Sequence, residues 1–293
     1  MQVRDILIAT FCAFAWGFSF VVIKIGLNSF PPLMFSAIRF LLAALPLVFF
    51  LKKPDVSWRI ILGMGFVLGV VKFTLLFVGL SIGASAGLAS IVMQSQAFFT
   101  VVLVALVFGT RPSKQQIAGL FVAFSGLTLI GFTIETGAGS LGLAFVTLAG
   151  LAWAISNLIM RRAGEVKMLN LMVWVCLVPP IPLAILSVVF EGTDASISAI
   201  HGLNWSGFAA VVYVAYIATI LAYAGWGSLI QRFGPNQVAP FSLLVPVFGM
   251  STSAIVLGES FGPLQVVASL VVLVGIALVI WKRNGQNALV RTS

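Results

Sequence analysis

The sequence predicts an all-α integral membrane protein, with ten transmembrane helices arranged as two inverted five-helix repeats around a central cavity and both termini cytoplasmic. Three observations predict it: an apolar composition, a one-sided distribution of basic residues, and an internal match between the two halves. Of 293 residues, 61% are hydrophobic and 8% charged, and the mean hydropathy is +1.17. Soluble domains carry about 25% charged residues, so 16 basic and 7 acidic side chains cannot cover a soluble protein of 31.1 kDa. Disorder is excluded, because disordered chains are polar and charge-rich. The net charge of +9 suits a nucleic-acid binder in principle, but a chain this apolar is not a soluble one.

A spanning helix needs about 20 mostly apolar residues. The expected spans are 5–27, 32–51, 58–80, 84–108, 115–133, 140–160, 168–190, 205–231, 236–258 and 263–282. The first opens just after Arg4. Its Ala13-Phe14-Ala15 resembles a signal-peptide cleavage site, yet the apolar run continues to about Ile23, so it is read as uncleaved. Pro31-Pro32 separates the first two spans, and Pro54 ends the polar stretch before the third. Arg111-Pro112 separates the fourth from the fifth, and Gly137-Ala138-Gly139 forms the turn between the halves. The stretch 191–204, with Glu191, Asp194, His201 and Asn204, is the longest polar connection. Gly234-Pro235-Asn236 is a turn before the ninth span. A β-barrel needs alternating segments of about ten residues; runs of about twenty without alternation favour helices.

When loops are placed alternately on two sides, 13 of the 16 basic residues fall on the side of the amino terminus. The other three, Lys24, Arg39 and Lys72, fall inside spans, and the acidic residues of the opposite side are Glu135, Glu191, Asp194 and Glu259. Basic residues are retained on the cytoplasmic side during insertion. Both termini are therefore expected in the cytoplasm, and the number of spans is even. Cys12 and Cys176 both sit within spans, so they read as small apolar fillers.

Ala15-Trp16-Gly17-Phe18-Ser19 matches Ala152-Trp153-Ala154-Ile155-Ser156, and Lys24 then falls on Arg161. Near the end of each half, Gly109 through Gln116 to Gly126 matches Gly258 through Gln265 to Gly275. These matches pair spans 1–5 with spans 6–10 and divide the chain into repeats at 1–136 and 137–293. Five spans is an odd number, so the halves cross the membrane in opposite directions. Inverted repeats mark secondary transporters, whose substrate site lies near the midplane between the halves.

The same residues carry a family resemblance. Ala15-Trp16-Gly17, Lys24, Pro31 and Ala37-Ile38-Arg39-Phe40 in the first half, with Ala152-Trp153-Ala154, Pro246, Leu257-Gly258-Glu259 and Gln265 to Gly275 in the second, resemble the drug/metabolite transporter superfamily. The type is the one built from two EamA domains, and the similarity is greatest to bacterial exporters of aromatic amino acids. It spans residues 5–282. Two departures stand in the first half: Gly109-Thr110 where the second has Gly258-Glu259, and Ala97 at the place of Pro246. The resemblance implies ten helices, a hydrophobic central cavity and export from the cytoplasm of a bacterial cell through its inner membrane. It implies as partners the lipid bilayer and a small-molecule substrate, an amino acid or related metabolite, without nucleic acid or cofactor; a monomer is one option for an oligomeric state that the sequence does not fix. Related branches export other amino acids, cationic toxicants, sugars or nucleotide sugars.

Intramembrane charges are costly and mark function by default. Lys24, near the end of span 1, is placed to snorkel. Arg39 lies eight residues past Pro31, about 12 Å into span 2 at 1.5 Å per residue. It reads as structural, bound to helix-end carbonyls or a polar network. Lys72 sits mid-span, with Gly65, Gly69 and Gly79 on its helical face. It either attracts a substrate carboxylate in a watery cavity or packs against carbonyls. Gln94, Gln96 and Asn157 are further lining candidates, and Tyr213, Tyr216 and Tyr223 form one stripe in span 8 at helical spacing. The tyrosines suit an aromatic substrate or helix packing. Trp16 and Trp153, equivalent in the repeat, flank the central cavity or pack. Pro179, Pro240 and Pro246 interrupt spans 7 and 9 and permit bending between open states, and Glu259 joins them as a gating or structural residue.

No metal site is expected, since one loop His and two separate Cys do not cluster. The same scarcity leaves an enzyme without a nucleophile and its base. No phosphate-binding loop for ATP occurs, so a primary pump is not expected. With no acid or His in the middle of a span, facilitated diffusion is expected rather than proton coupling; a proton-coupled multidrug exporter and a channel remain the alternatives.

Overall fold

Backbone polar groups in lipid must be satisfied within the chain, and apolar runs of this length do so as helices. A computed structural model describes residues 1–109, 111–133, 137–164, 166–202 and 204–280, and among them there is no β-strand. Eight helices are long and apolar enough to cross a membrane: α1 (Val3–Gly26), α3 (Trp58–Ser81), α4 (Ala86–Phe108), α5 (Lys114–Phe132), α6 (Gly139–Arg161), α7 (Met168–Phe190), α8 (Trp205–Phe233) and α9 (Ala239–Leu257). Two shorter apolar helices are α2 (Pro32–Val48) and α10 (Pro263–Val279). Each expected span thus falls on one apolar helix. Glu135, Thr110, Lys282, Arg283 and Arg291 lie outside the described residues. The expected polar connection at 191–204 differs, because it folds into a short helix, Thr193–His201.

Five helices are irregular. In α3, Gly65–Lys72 winds as a π-helix, and in α8 so does Tyr213–Leu221. In α4 the helix breaks between Val92 and Ser95. In α9 a 3₁₀ segment, Ala239–Leu243, precedes the α-helix. Pro240 lies in that 3₁₀ segment, Pro246 is buried in the helix that follows, and Pro179 sits at the break before Pro180–Phe190 of α7. The ring of Pro179 occupies the space a Cβ on Gly69 would need, and Val178 that of one on Gly65, so these two glycines serve the close approach of α3 and α7.

The residues that matched between the halves occupy matching local structure. Gly109 and Gly258 end α4 and α9 with φ of 63° and 66°, a left-handed conformation that closes a helix and favours glycine. Gln116 Oε1 accepts from Ser113 N at 2.9 Å, and Gln265 Oε1 accepts from Gly262 N at 3.1 Å, so the Gly-to-Gln spacing encodes a helix cap. Ser19 Oγ donates to the Trp16 carbonyl, as Ser156 Oγ does to that of Trp153.

Packing interleaves the two halves: α5 lies along α10, α1 along α9 and α8, α2 against α7, and α6 against α3 and α4. Large apolar side chains such as Phe50, Phe121, Phe132 and Ile255 stand exposed on the outside, where lipid is their solvent.

Candidate functional site

The irregular segments meet around one cavity of about 270 Å³, close to the lower end of small-molecule pockets at roughly 300 Å³. It is lined from α1, α2, α3, α4, α6, α7, α8 and α9, while α5 and α10 contribute nothing to it. Trp16, Lys72, Gln94, Gln96, Trp153, Asn157 and Tyr223 all line it, and so does Arg39. Tyr213 and Tyr216 do not. The π-helical stretch that starts at Tyr213 changes the register of α8, so the three tyrosines do not form one stripe. Tyr213 instead donates to the Ala15 carbonyl at 3.1 Å and packs on Phe18, and Tyr216 packs against an apolar cluster shared by α2, α3, α7 and α8.

Lys72 ends the π-helical stretch of α3 and is only 5% exposed. Its ammonium lies 3.4 Å from the Phe73 ring centroid and 4.8 Å from that of Trp153, at distances where ring quadrupoles attract cations. The one ion pair among the described residues is Arg232–Asp5, so no carboxylate neutralises Lys72. Arg39 is likewise unpaired. Its guanidinium lies 3.9 Å from the Phe40 ring centroid and 3.7 Å from that of Phe73, and Nη1 donates to Thr219 Oγ1 at 3.2 Å. Helix-end carbonyls are not its partners. Lys24 does take that role, donating to Leu80 O at 2.7 Å and Ala84 O at 3.0 Å.

The uncharged polar groups hold one another. Gln94 Nε2, at the break of α4, donates to Ser242 O in the 3₁₀ segment of α9 at 3.1 Å. Asn157 Nδ2 donates to Gln96 Oε1 at 3.1 Å. Trp16 Nε1 donates to Ala218 O at 2.9 Å, and Thr219 Oγ1 to Val214 O at 2.8 Å. The irregular turn of α8 thus has carbonyls engaged by side chains.

An aromatic wall completes the site. The Trp16 ring centroid lies 5.2 Å from Tyr223 and 5.1 Å from Trp226. Trp226, Phe73 and Thr219 are lining residues that sequence reasoning did not mark. Trp226 was within reach, standing three positions beyond Tyr223 on the same helical face. A second cavity of about 280 Å³ between α4, α5 and α6, walled by Phe98, Phe124 and Leu143, carries no charge and none of the candidate residues.

The two ends of the site differ. Met160, Met168, Ile230 and Ala239 carry the lining toward the face where α1 begins, the face marked by the 2.9 Å Asp5–Arg232 pair. On the opposite face, buried Phe20, Ile23 and Leu76 close it. There Glu259 accepts from Ser85 Oγ, Ala86 N and Gly87 N at 2.6–3.0 Å, capping α4. Glu191 accepts from Leu33 N and Met34 N at 2.6 and 3.1 Å, capping α2.

Known proteins resemble the chain along nearly its whole length. The EamA-like transporter family matches at residues 4–132 and again at 140–281. A protein of Escherichia coli (strain K12) named "Probable amino-acid metabolite efflux pump" is 34% identical, with 98% of each chain covered. One of Salmonella typhimurium with the same name is 36% identical over 94% of each. An "Uncharacterized transporter" of Archaeoglobus fulgidus is 25% identical over 92% of this chain and 95% of that one. A solved crystal structure, 16% identical, shares the fold at a TM-score of 0.65, covering 95% of this chain and 98% of its own.

Proposed function

Because the chain belongs to the EamA-like transporter family, we propose that it exports small amphipathic metabolites, foremost aromatic and other hydrophobic amino acids, by alternating access as a facilitated-diffusion uniporter. The chain is a transporter, not an enzyme, and a multi-pass protein of the bacterial inner membrane. Its efflux direction rests on the names of the two relatives from enteric bacteria.

In this reading α2 and α10 complete ten spans, and residues 1–136 and 137–293 are inverted repeats with both termini in the cytoplasm. Support comes from the paired irregularities. The π-helical stretches fall in α3 and α8, the helix breaks in α4 and α9, and the left-handed glycines at equivalent ends. A cavity lined toward the face of the amino terminus and closed toward the other by Phe20, Ile23 and Leu76 is then the cytoplasm-open state. Pro179, Pro240 and Pro246 are the bending points between that state and its opposite.

The observation that carries the substrate reading is Lys72, a buried ammonium on the cavity wall between Phe73 and Trp153 with no acidic partner. An uncompensated buried charge costs several kcal/mol, and a substrate carboxylate supplies its counter-charge. Trp16, Tyr223 and Trp226 receive the apolar side chain, and Gln94, Gln96 and Asn157 shape the polar floor.

Counterflow in liposomes, comparing Thr, Met, Phe, Trp and a cationic dye, tests the class. Saturable exchange of Phe and Trp is expected, and single-channel currents would favour a pore instead. Lys72→Gln is expected to raise KM for phenylalanine about tenfold; unchanged kinetics would remove Lys72 from the site.

A further inference from the structure

Resting on the reading that Lys72 meets a substrate carboxylate, we propose that Arg39 is the second half of an anion seat, and that this seat admits acids without a free amine. The class is that of 2-oxo acids and N-acylated amino acids with an apolar side chain, carried alongside the amino acids themselves.

Arg39 is 2% exposed and lines the cavity. A guanidinium presents five N–H donors in a rigid fork. Here Nη1 engages Thr219, while Nε and Nη2 have no hydrogen-bond partner. An unpaired buried donor forfeits its hydration without return, so the open edge of this fork calls for an acceptor. The unfilled edge is the part that grips a carboxylate in two-point fashion. Thr219 holds the other edge still, being itself bonded to Val214 O.

The two cations belong to one place. Arg39 Cζ and Lys72 Nζ lie 3.7 Å and 3.4 Å from the centroid of the same Phe73 ring, so they stand no farther apart than those distances laid end to end. Distances this short place the two cations over opposite faces of the ring, so like charges repel across it, and a monoanion that bridges them past the ring edge relieves both.

The cavity treats the other end of an amino acid differently. No acidic side chain is among its lining residues. Asp5 is taken by Arg232, and Glu191 and Glu259 by helix ends at the opposite face. A substrate ammonium therefore finds ring faces, carbonyls, amides and hydroxyls among these lining residues but no counter-charge. Replacing it with an amide or a ketone removes a charge that must be desolvated and leaves the carboxylate contacts intact.

The test uses the full chain in proteoliposomes, with labelled L-phenylalanine, N-acetyl-L-phenylalanine, phenylpyruvate and L-phenylalanine amide. Saturable uptake of the first three is expected, with KM for the two amine-free acids at or below that of phenylalanine, and none of the amide. Arg39→Gln is expected to raise KM for N-acetyl-L-phenylalanine at least tenfold and Arg39→Lys less; thermal unfolding confirms that each variant is folded. If Arg39→Gln does not fold, Thr219→Val reads the same rise through the loosened fork. Transport of phenylalanine without transport of, or competition by, the two amine-free acids overturns the inference and leaves the Lys72 reading standing. Amide uptake as fast as that of phenylalanine overturns the carboxylate reading itself. A wild-type KM in Arg39→Gln removes Arg39 from the seat.

Discussion

Glu259 Oε2 and Ser85 Oγ lie 2.6 Å apart, joining the end of α9 to the start of α4 across the two halves of the chain. The same carboxylate takes the first free N–H groups of α4, where a negative charge also meets the positive end of the helix dipole. Glu191 does the same for α2 from the end of α7.

Glu259→Gln keeps one acceptor oxygen and removes the charge. A stability loss of about 1–2 kcal/mol is expected, in the range of lost helix caps and charge-assisted bonds. Glu191→Gln is expected to cost a similar amount, and the two losses to add, since the carboxylates cap different helices. Thermal unfolding in detergent reads all three variants, and an unchanged midpoint would mean that neither cap holds its helix.

The seam of α5 and α10 rests on glycine. A Cβ on Gly275 would overlap the main chain of Ala123, and backbone cannot step aside as a flexible side chain can. Gly275→Ala is expected to cost about 1–3 kcal/mol as overpacking. Gly131→Ala is the control, because nothing lies within 4 Å of its Cβ position and alanine is the better helix former by about 1 kcal/mol. Opposite shifts in the unfolding temperature are expected; equal shifts would show that the seam has room.

Two aromatic donors separate site from scaffold. Trp16 Nε1 and Tyr213 Oη each hold a backbone carbonyl, of Ala218 and Ala15 respectively, yet Trp16 alone lines the cavity. Trp16→Phe and Tyr213→Phe are each expected to cost about 1 kcal/mol of stability for the lost bond. Only Trp16→Phe is expected to raise KM for phenylalanine, by several-fold. A KM effect of equal size in Tyr213→Phe would place that residue in the path.

What the sequence displays depends on the range of the interaction. Helix positions were legible because a twenty-residue apolar run is a local property, and the caps at Gln116 and Gln265 because their geometry spans three residues. Lys72, Trp16 and Trp153 were legible as intramembrane cost or repeated pattern. The tyrosine stripe was not, because its helical spacing assumed 3.6 residues per turn and Tyr213–Leu221 is wound as a π-helix. Arg39 reads as structural from the sequence, and its neighbours Phe73 and Thr219 could not be read there, since they lie far along the chain and meet it only in the fold. Glu191, a polar residue in a connection, became a cap on α2 for the same reason.

Charge carried per cycle separates the substrates. An uncoupled carrier moves a zwitterion without net charge, and moves an amine-free acid as a monoanion. An imposed potential of 100 mV is worth about 2.3 kcal/mol per charge, or roughly a 50-fold ratio at equilibrium. In proteoliposomes clamped with potassium and valinomycin, N-acetyl-L-phenylalanine is expected to distribute toward the positive side by that factor, and phenylalanine to remain even. A pH gradient at zero potential is expected to concentrate neither through the carrier, since no acid or histidine lines the cavity to carry a proton. Accumulation of phenylalanine driven by pH alone would establish proton coupling and refute the uniporter.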